Sequence, residues 1–357
     1  MREVGAVIAA VSLSAAATAQ DIVFPADQFG RSTLYNAQST ENFEAVLLGN
    51  PRFEPLADYA PDDALRRLSR PIGRLDILKD GGVSVCTASV IGPDLILTNH
   101  HCVPGRSGGP VRELSLLMGY YSDIDHRGEK RYAVRTTPVE ASAELDFAVL
   151  RVAGRPGDAW GTARLEPRDP SAGGSLMIVH HPAGKPKHVS RGGCRAATPH
   201  ATSGDQIFHR CDTLPGSSGS PVFLADMSGA VVGLHHAGAP ANRLGSDSYN
   251  YAKRVALIVE ASPTLRELSD VDARREPETP APSAREVERG YWDACRVSPS
   301  IAACEAYLAR YPAGAFAELA ATIIDGLREE EEWVSVSEML RFRGGYNTLL
   351  VKPSTRG

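Results

Sequence analysis

The stretch Asp212-Thr213-Leu214-Pro215-Gly216-Ser217-Ser218-Gly219-Ser220-Pro221-Val222-Phe223 decides how the chain is read. By composition alone, Gly-Ser-Ser-Gly-Ser also suits a flexible linker. The apolar run Pro221-Val222-Phe223 argues against that, because it reads as a strand anchoring a loop. Glycines at 216 and 219 let the backbone turn tightly and bring amide groups close to a ligand. Ser218, held between them, is a candidate nucleophile. A serine hydroxyl is weak at neutral pH, so it needs a base beside it and donors for the oxyanion that its attack creates.

Upstream and downstream of this loop the chain has the texture of a β protein. Ile72-Gly73-Arg74-Leu75-Asp76-Ile77-Leu78 alternates as a strand does, Gly81-Gly82 marks a turn, and Gly92-Pro93-Asp94 marks another. Short apolar runs continue through Leu114–Gly119, Phe147–Val152, Leu176–Val179, Ala230–His235 and Asn250–Lys253. About a dozen such strands with no long amphipathic helix among them predict an all-β sandwich or a pair of barrels. One strand, Leu95–Thr98, runs into Asn99-His100-His101-Cys102. Asp146 stands alone among apolar residues in Leu145-Asp146-Phe147-Ala148-Val149-Leu150. An unpaired charge is costly there, although an edge-strand aspartate facing water fits the same pattern.

Histidine pairs at 100/101, 180/181 and 235/236 raise the alternative of a metallohydrolase. Adjacent residues of a strand point to opposite faces, which is poor chelation geometry. No C-x-x-C pair and no H-E-x-x-H occurs, so the motifs call for no metal and no cofactor. The six cysteines form an even set. Nearest-neighbour pairing would join Cys86 to Cys102, Cys194 to Cys211 and Cys295 to Cys304, but spacing alone leaves the connectivity open.

These motifs together resemble a chymotrypsin-fold serine protease. That family ends a strand in Thr-x-x-His-Cys, as in Thr98 to Cys102 with His101 in the histidine place, and bridges the cysteine to one 16 residues earlier, here Cys86. Gly216-x-Ser218-Gly219-x-Pro221 matches its nucleophile loop. The order His101, Asp146, Ser218 follows its triad. The short interval between Asp146 and Ser218, together with Gly233-Leu234-His235-His236-Ala237-Gly238, resembles the compact bacterial branch that includes the glutamyl endopeptidases. Val179-His180-His181-Pro182-Ala183-Gly184-Lys185-Pro186 is similar to a segment of bacterial trypsin-like peptidases. The resemblance implies a double β-barrel, acyl transfer by Ser218 with His101 as base and Asp146 orienting it, and an oxyanion hole from the Gly216 and Ser218 amides. On specificity it divides. Asp212 takes the position that gives trypsin its Arg/Lys preference, while Thr213 and His235 fall where glutamyl endopeptidases bind a substrate carboxylate. A non-catalytic protease-like binding protein is the competing class, and such proteins usually lose a triad member.

The resemblance covers about residues 70–260. Residues 1–19 read as a secretory signal peptide, with an apolar run from Val4 to Ala17 and the A-x-A site Ala17-Thr18-Ala19. That run is too short for a bilayer span, and no other stretch is long enough. A secreted or periplasmic protein of a bacterium is expected, with disulfides to match. Residues 20–70 read as a propeptide or an N-terminal arm, 71–265 as the protease domain, 266–285 as a linker, and 286–357 as a small helical domain. Phe316, Leu319, Ala320, Ile323, Ile324 and Leu327 form one apolar face there, and the domain is expected to bind a protein or envelope partner. The 357 residues carry a net charge of -5 with no concentrated basic face, which argues against nucleic-acid binding. The expected partner of the site is a protein or peptide substrate.

Overall fold

The computed structural model describes residues 22–35, 52–103, 110–238, 248–275, 284–297 and 299–328. The signal-like segment lies outside them. Among the described residues, no helix is long and apolar enough to cross a membrane. The chain divides into two compact units, residues 1–276 and 277–357.

The first unit is built on two mainly antiparallel sheets. One runs Lys130–Val134, Glu113–Met118, Ile72–Lys79, Gly82–Val90, Leu95–Thr98, Phe147–Arg151, Glu140–Ser142, with Val23–Phe24 added beside Gly82–Val90. A bridge between Val134 and Val152 joins Lys130–Val134 to the end of Phe147–Arg151 and closes the sheet into a barrel. The other runs Thr202–Ser203, Gln206–His209, Asn250–Arg254, Ala230–Ala237, Pro221–Leu224, Leu176–His180, His188–Ser190, Phe53–Pro55. Bridges from Ser175 to Arg195 and from Ala196 to His209 close it in the same manner. The protein is thus mainly β, with a chymotrypsin-like pair of barrels and a helical C-terminal part.

Period-two alternation explains why several strands are apolar on both faces. In Leu95–Thr98, Ile96 fills the first barrel while Leu95 and Leu97 face the core shared by the two barrels. In Leu176–His180, Leu176 and Ile178 fill the second barrel while Met177 and Val179 join that shared core. Replacing one such residue, Leu97 for instance, by alanine costs about 2–5 kcal/mol.

The sequence predicts an arm or propeptide over residues 20–70. Their described parts are paired into both barrels. Val23–Phe24 pairs with Val83 and Ser84, and Phe53–Pro55 pairs with His188–Ser190. Leu56 is fully buried in the shared core. Arg74, buried beside Asp76, donates to the carbonyls of Arg31, Ser32 and Gly184, so an arm turn and the 182–184 turn share one guanidinium.

The first ten residues of the linker expected at 266–285 belong to a helix, and residues 276–283 lie outside the described ones. Residues Pro263–Arg275 are helical, because Leu265 and Leu268, one turn apart, pack on the shared core.

The second unit has helices Ala284–Val297, Ile301–Arg310 and 317–328. Ser300 caps the second by accepting from the Ala303 amide. Trp292, Cys295, Cys304, Tyr307, Ala320 and Ile324 form its core. Leu319, predicted on the apolar face, is exposed. The three disulfides join Cys86 to Cys102, Cys194 to Cys211 and Cys295 to Cys304. Each of the two longer loops contributes roughly 3 kcal/mol on the chain-entropy view.

Candidate active site

Strand register brings the first pair together. Leu95–Thr98 runs antiparallel to Phe147–Arg151 with Thr98 opposite Ala148. Residues just after Thr98 therefore lie beside residues just before Phe147. His101 and Asp146 occupy those places. The His101 amide donates to Asp146 Oδ1 at 3.0 Å, and His101 Nδ1 lies 2.8 Å from Oδ2. Asp146 sits at φ +46°, a left-handed conformation that aspartate tolerates. Asn99 Nδ2 fixes its carbonyl at 2.9 Å. Burial alone would raise the Asp146 pKa. Hydrogen bonds from His101 and His236, with the charge of His101, outweigh it and hold the carboxyl well below the usual carboxylate range. His101 Nδ1 is thus committed to Asp146.

The second barrel supplies the nucleophile loop. Ser218 is partly exposed and precedes the strand Pro221–Leu224. Both flanking glycines have positive φ, +96° at Gly216 and +83° at Gly219. A Cβ at Gly219 would fall 2.2 Å from the Thr87 carbonyl oxygen, and one at Gly216 would fall 2.7 Å from that of His181. Among the described residues, neither the Gly216 nor the Ser218 amide donates to a backbone carbonyl. Thr87 ties the loop to the first barrel. Its amide donates to Ser218 O at 2.8 Å and its hydroxyl to Gly216 O at 2.9 Å, while the Thr98 hydroxyl donates to Thr87 O. Thr87 and Thr98 are wholly buried.

The pocket residues divide. The Asp212 carboxylate accepts the Arg52 amide at 3.0 Å, so the arm engages it. Asn250 Nδ2 donates to Thr213 Oγ1 at 3.2 Å, leaving the threonine proton for another acceptor. His209 Nδ1 accepts the Cys211 amide, which places the His209 proton on Nε2. That nitrogen lies 3.2 Å from His235 Nδ1, so neutral His235 carries its proton on Nε2. Burial pushes the His209 pKa down to about 3 and His235 well below its ordinary value. The histidine pairs face apart as alternation requires. His235 turns to His209 while His236 turns to Asp146, and His180 turns to Ser217 while His181 Nδ1 lies against the Lys185 carbonyl. His101 also lies near Cys86 and Cys102, but those sulfurs are bonded to each other.

A protein-family model described as a trypsin-like peptidase domain matches residues 86–234. Over those residues the chain is similar to trypsin-like peptidase domains. The chain is 30% identical over 189 residues to a secreted RxLR effector protein of Plasmopara viticola, covering 49% of this chain and 47% of the effector. It thus spans about half the length of that relative. It is 26% identical over 228 residues to a glutamyl endopeptidase of Staphylococcus epidermidis, covering 61% of this chain and 76% of that one. A solved Glu endopeptidase aligns at 21% identity with a TM-score of 0.43, covering 58% of this chain and 94% of that chain. The first unit also holds partners that the motifs did not reveal, namely Thr87, Asn250 and His209.

Proposed function

We propose that the chain is an exported serine endopeptidase. Its nucleophile is Ser218, its base is His101, and Asp146 orients His101 and stabilises the cation that forms. The observation that carries the reading is the doubly held Asp146 carboxylate, gripped by both the amide and the ring of His101. His101 takes the Ser218 proton as oxygen attacks the carbonyl, and an acyl-enzyme forms as the amine leaves with a proton from His101. Water then attacks the acyl group as His101 takes its proton, and Ser218 leaves with a proton from His101, releasing the carboxylic acid. The Gly216 and Ser218 amides receive the oxyanion, each worth roughly 3–4 kcal/mol of barrier.

Cleavage after acidic residues fits the pocket better than cleavage after Arg or Lys. A basic side chain needs a free carboxylate, and that of Asp212 is engaged by the Arg52 amide. The Thr213 hydroxyl and the His235 Nε2–H are donors, as a substrate carboxylate needs. The signal-like start supports export, and the helical residues 286–357 suit a binding module for a protein or envelope partner.

The test is a mixed peptide library read by mass spectrometry, with the protein beside its Ser218→Ala form. Cleavage after Glu is expected, falling about 10⁶-fold in the folded variant. Cleavage after Arg or Lys would overturn the pocket assignment. Undiminished cleavage by Ser218→Ala would overturn the mechanism.

A further inference from the structure

His180 is fully buried at the end of the strand Leu176–His180, and the triad makes no use of it. Its Nδ1 lies 2.7 Å from Ser217 Oγ and its Nε2 lies 3.1 Å from Ser190 Oγ. Ser217 stands between Gly216 and Ser218, whose amides flank the reacting serine.

The protons in this group can be placed without ambiguity. Ser190 Oγ donates its only proton to the Asp212 carbonyl at 2.8 Å. It must therefore accept from His180, so His180 carries its proton on Nε2. Complete burial keeps the ring neutral. Nδ1 is then an acceptor, and Ser217 Oγ–H donates to it. Ser217 Oγ in turn accepts the Leu214 amide at 3.1 Å. The chain of donors runs from Leu214 through Ser217, His180 and Ser190 to Asp212, and it closes on the loop where it began. Phe53 of the arm packs its ring edge-on against His180, with centroids 5.3 Å apart.

We propose that His180 is a positioning residue that, through Ser217, holds the Gly216 and Ser218 amides where they receive an oxyanion. The proposal rests on the serine-endopeptidase reading above. Gly216 has no side chain to fix its peptide at φ +96°, so its neighbours must do so. Thr87 holds its carbonyl from one side. His180 holds the next residue from the other.

Three substitutions separate this role from a merely structural one. His180→Asn keeps an acceptor near the Nδ1 position for Ser217. His180→Gln keeps a donor near the Nε2 position for Ser190 and loses Ser217. Ser217→Ala removes the same link from the loop side with the least change in volume, and it decides the matter if the His180 variants fail to fold. The readouts are kcat and KM on a peptide identified in the library, the inhibition constant of a peptidyl trifluoromethyl ketone with the same sequence, and the melting temperature. The ketone adds the serine and forms an oxyanion that the two amides must hold.

In His180→Gln and Ser217→Ala, kcat is expected to fall about 10²-fold with KM little changed, and the inhibition constant to rise by about the same factor. His180→Asn should stay within about tenfold of the parent protein. Parent-like kcat and inhibitor affinity in Ser217→Ala and His180→Gln, with only a lowered melting temperature, overturn the proposal. So does a His180→Asn protein as impaired as His180→Gln, because that places the role at Ser190. A parent protein that neither turns over peptide nor binds the ketone removes the endopeptidase reading itself, and this proposal with it.

Discussion

His101 and His236 lie against a carboxylate, whereas His180, His209 and His235 lie against hydroxyls, an amide and one another. The first pair brackets Asp146 in the cleft, with His101 Nδ1 at 2.8 Å and His236 Nδ1 at 3.4 Å. The second group is buried in the second barrel and neutral, with each ring's proton directed by its neighbour. Next to a carboxylate, an imidazole can gain a proton at little cost, which a general base requires. Away from any charge, an imidazole works as a fixed donor–acceptor spacer, and protonation would break it. On the mechanism proposed above, one residue type supplies both the moving proton and the rigid frame around it.

The sharpest way to break this contrast is at the carboxylate. Asp146→Asn keeps the shape but presents an amide that cannot accept from both the His101 amide and its ring. The ring then settles in the wrong tautomer. A fall in kcat of about 10⁴-fold is expected, measured on the peptide best cleaved by the parent protein. A loss below tenfold would mean that His101 does not depend on this carboxylate.

The comparison also shows what was legible in the sequence. Ser218, His101 and Asp146 could be singled out because each sits in a short local pattern, a glycine-flanked loop, a strand ending in His-Cys, and a lone acid before an apolar run, and the structure joins the last two. Strand parity was legible as well, and it puts His180 on the face of Leu176 and Ile178. Its partner Ser217 was not, because the two are 37 residues apart and meet only through tertiary packing. The same holds for Thr87 with Gly216 and for Arg52 with Asp212. Among the described residues of 20–70 the strands are two and three residues long, too short to show a period. The helix Pro263–Arg275 was hidden by its charged face.

The frame extends into the arm, and removing residues 20–70 should show it. The Arg52 amide caps Asp212, Phe53 covers His180, and the Leu56 side chain is fully buried. A removable propeptide predicts an active protein after truncation. The geometry predicts an inactive one, with Leu56→Ala alone costing about 2–5 kcal/mol in denaturant unfolding. Full activity of a protein starting at Pro71 would make residues 20–70 dispensable.

The neutral histidines make a prediction about pH. His209 is depressed to about 3, and His180 and His235 also lie well below their ordinary value. In the unfolded chain each takes up a proton near pH 6.5. Below that value the unfolded state binds more protons than the folded one, so stability is present above about pH 6.5 and is lost as pH falls. For His209 the loss continues down to its folded value near 3. Urea unfolding at pH 6 and pH 5 should show His209→Gln with a shallower slope than the parent, by about 1.4 kcal/mol per pH unit. Equal slopes would mean that His209 is protonated in the folded protein.

The smallest effect is expected at His236, where the two groups of histidines meet. Its Nε2 lies 2.7 Å from Gln206 Oε1, and its Nδ1 faces Asp146. Burial lowers its pKa and Asp146 opposes that, while Lys253 and His101 add to the lowering, so it is neutral at pH 7. A neutral ring that donates to Asp146 must accept at Nε2, which requires Gln206 to present its amide NH2 there. His236 then contributes one ordinary hydrogen bond to a carboxylate that His101 already holds twice. His236→Phe should therefore reduce kcat/KM by about fivefold, the value of roughly 1 kcal/mol. A drop near that of Asp146→Asn would mean that His236 shares the proton handling with His101. A variant indistinguishable from the parent would show that His101 and Asn99 suffice to hold Asp146.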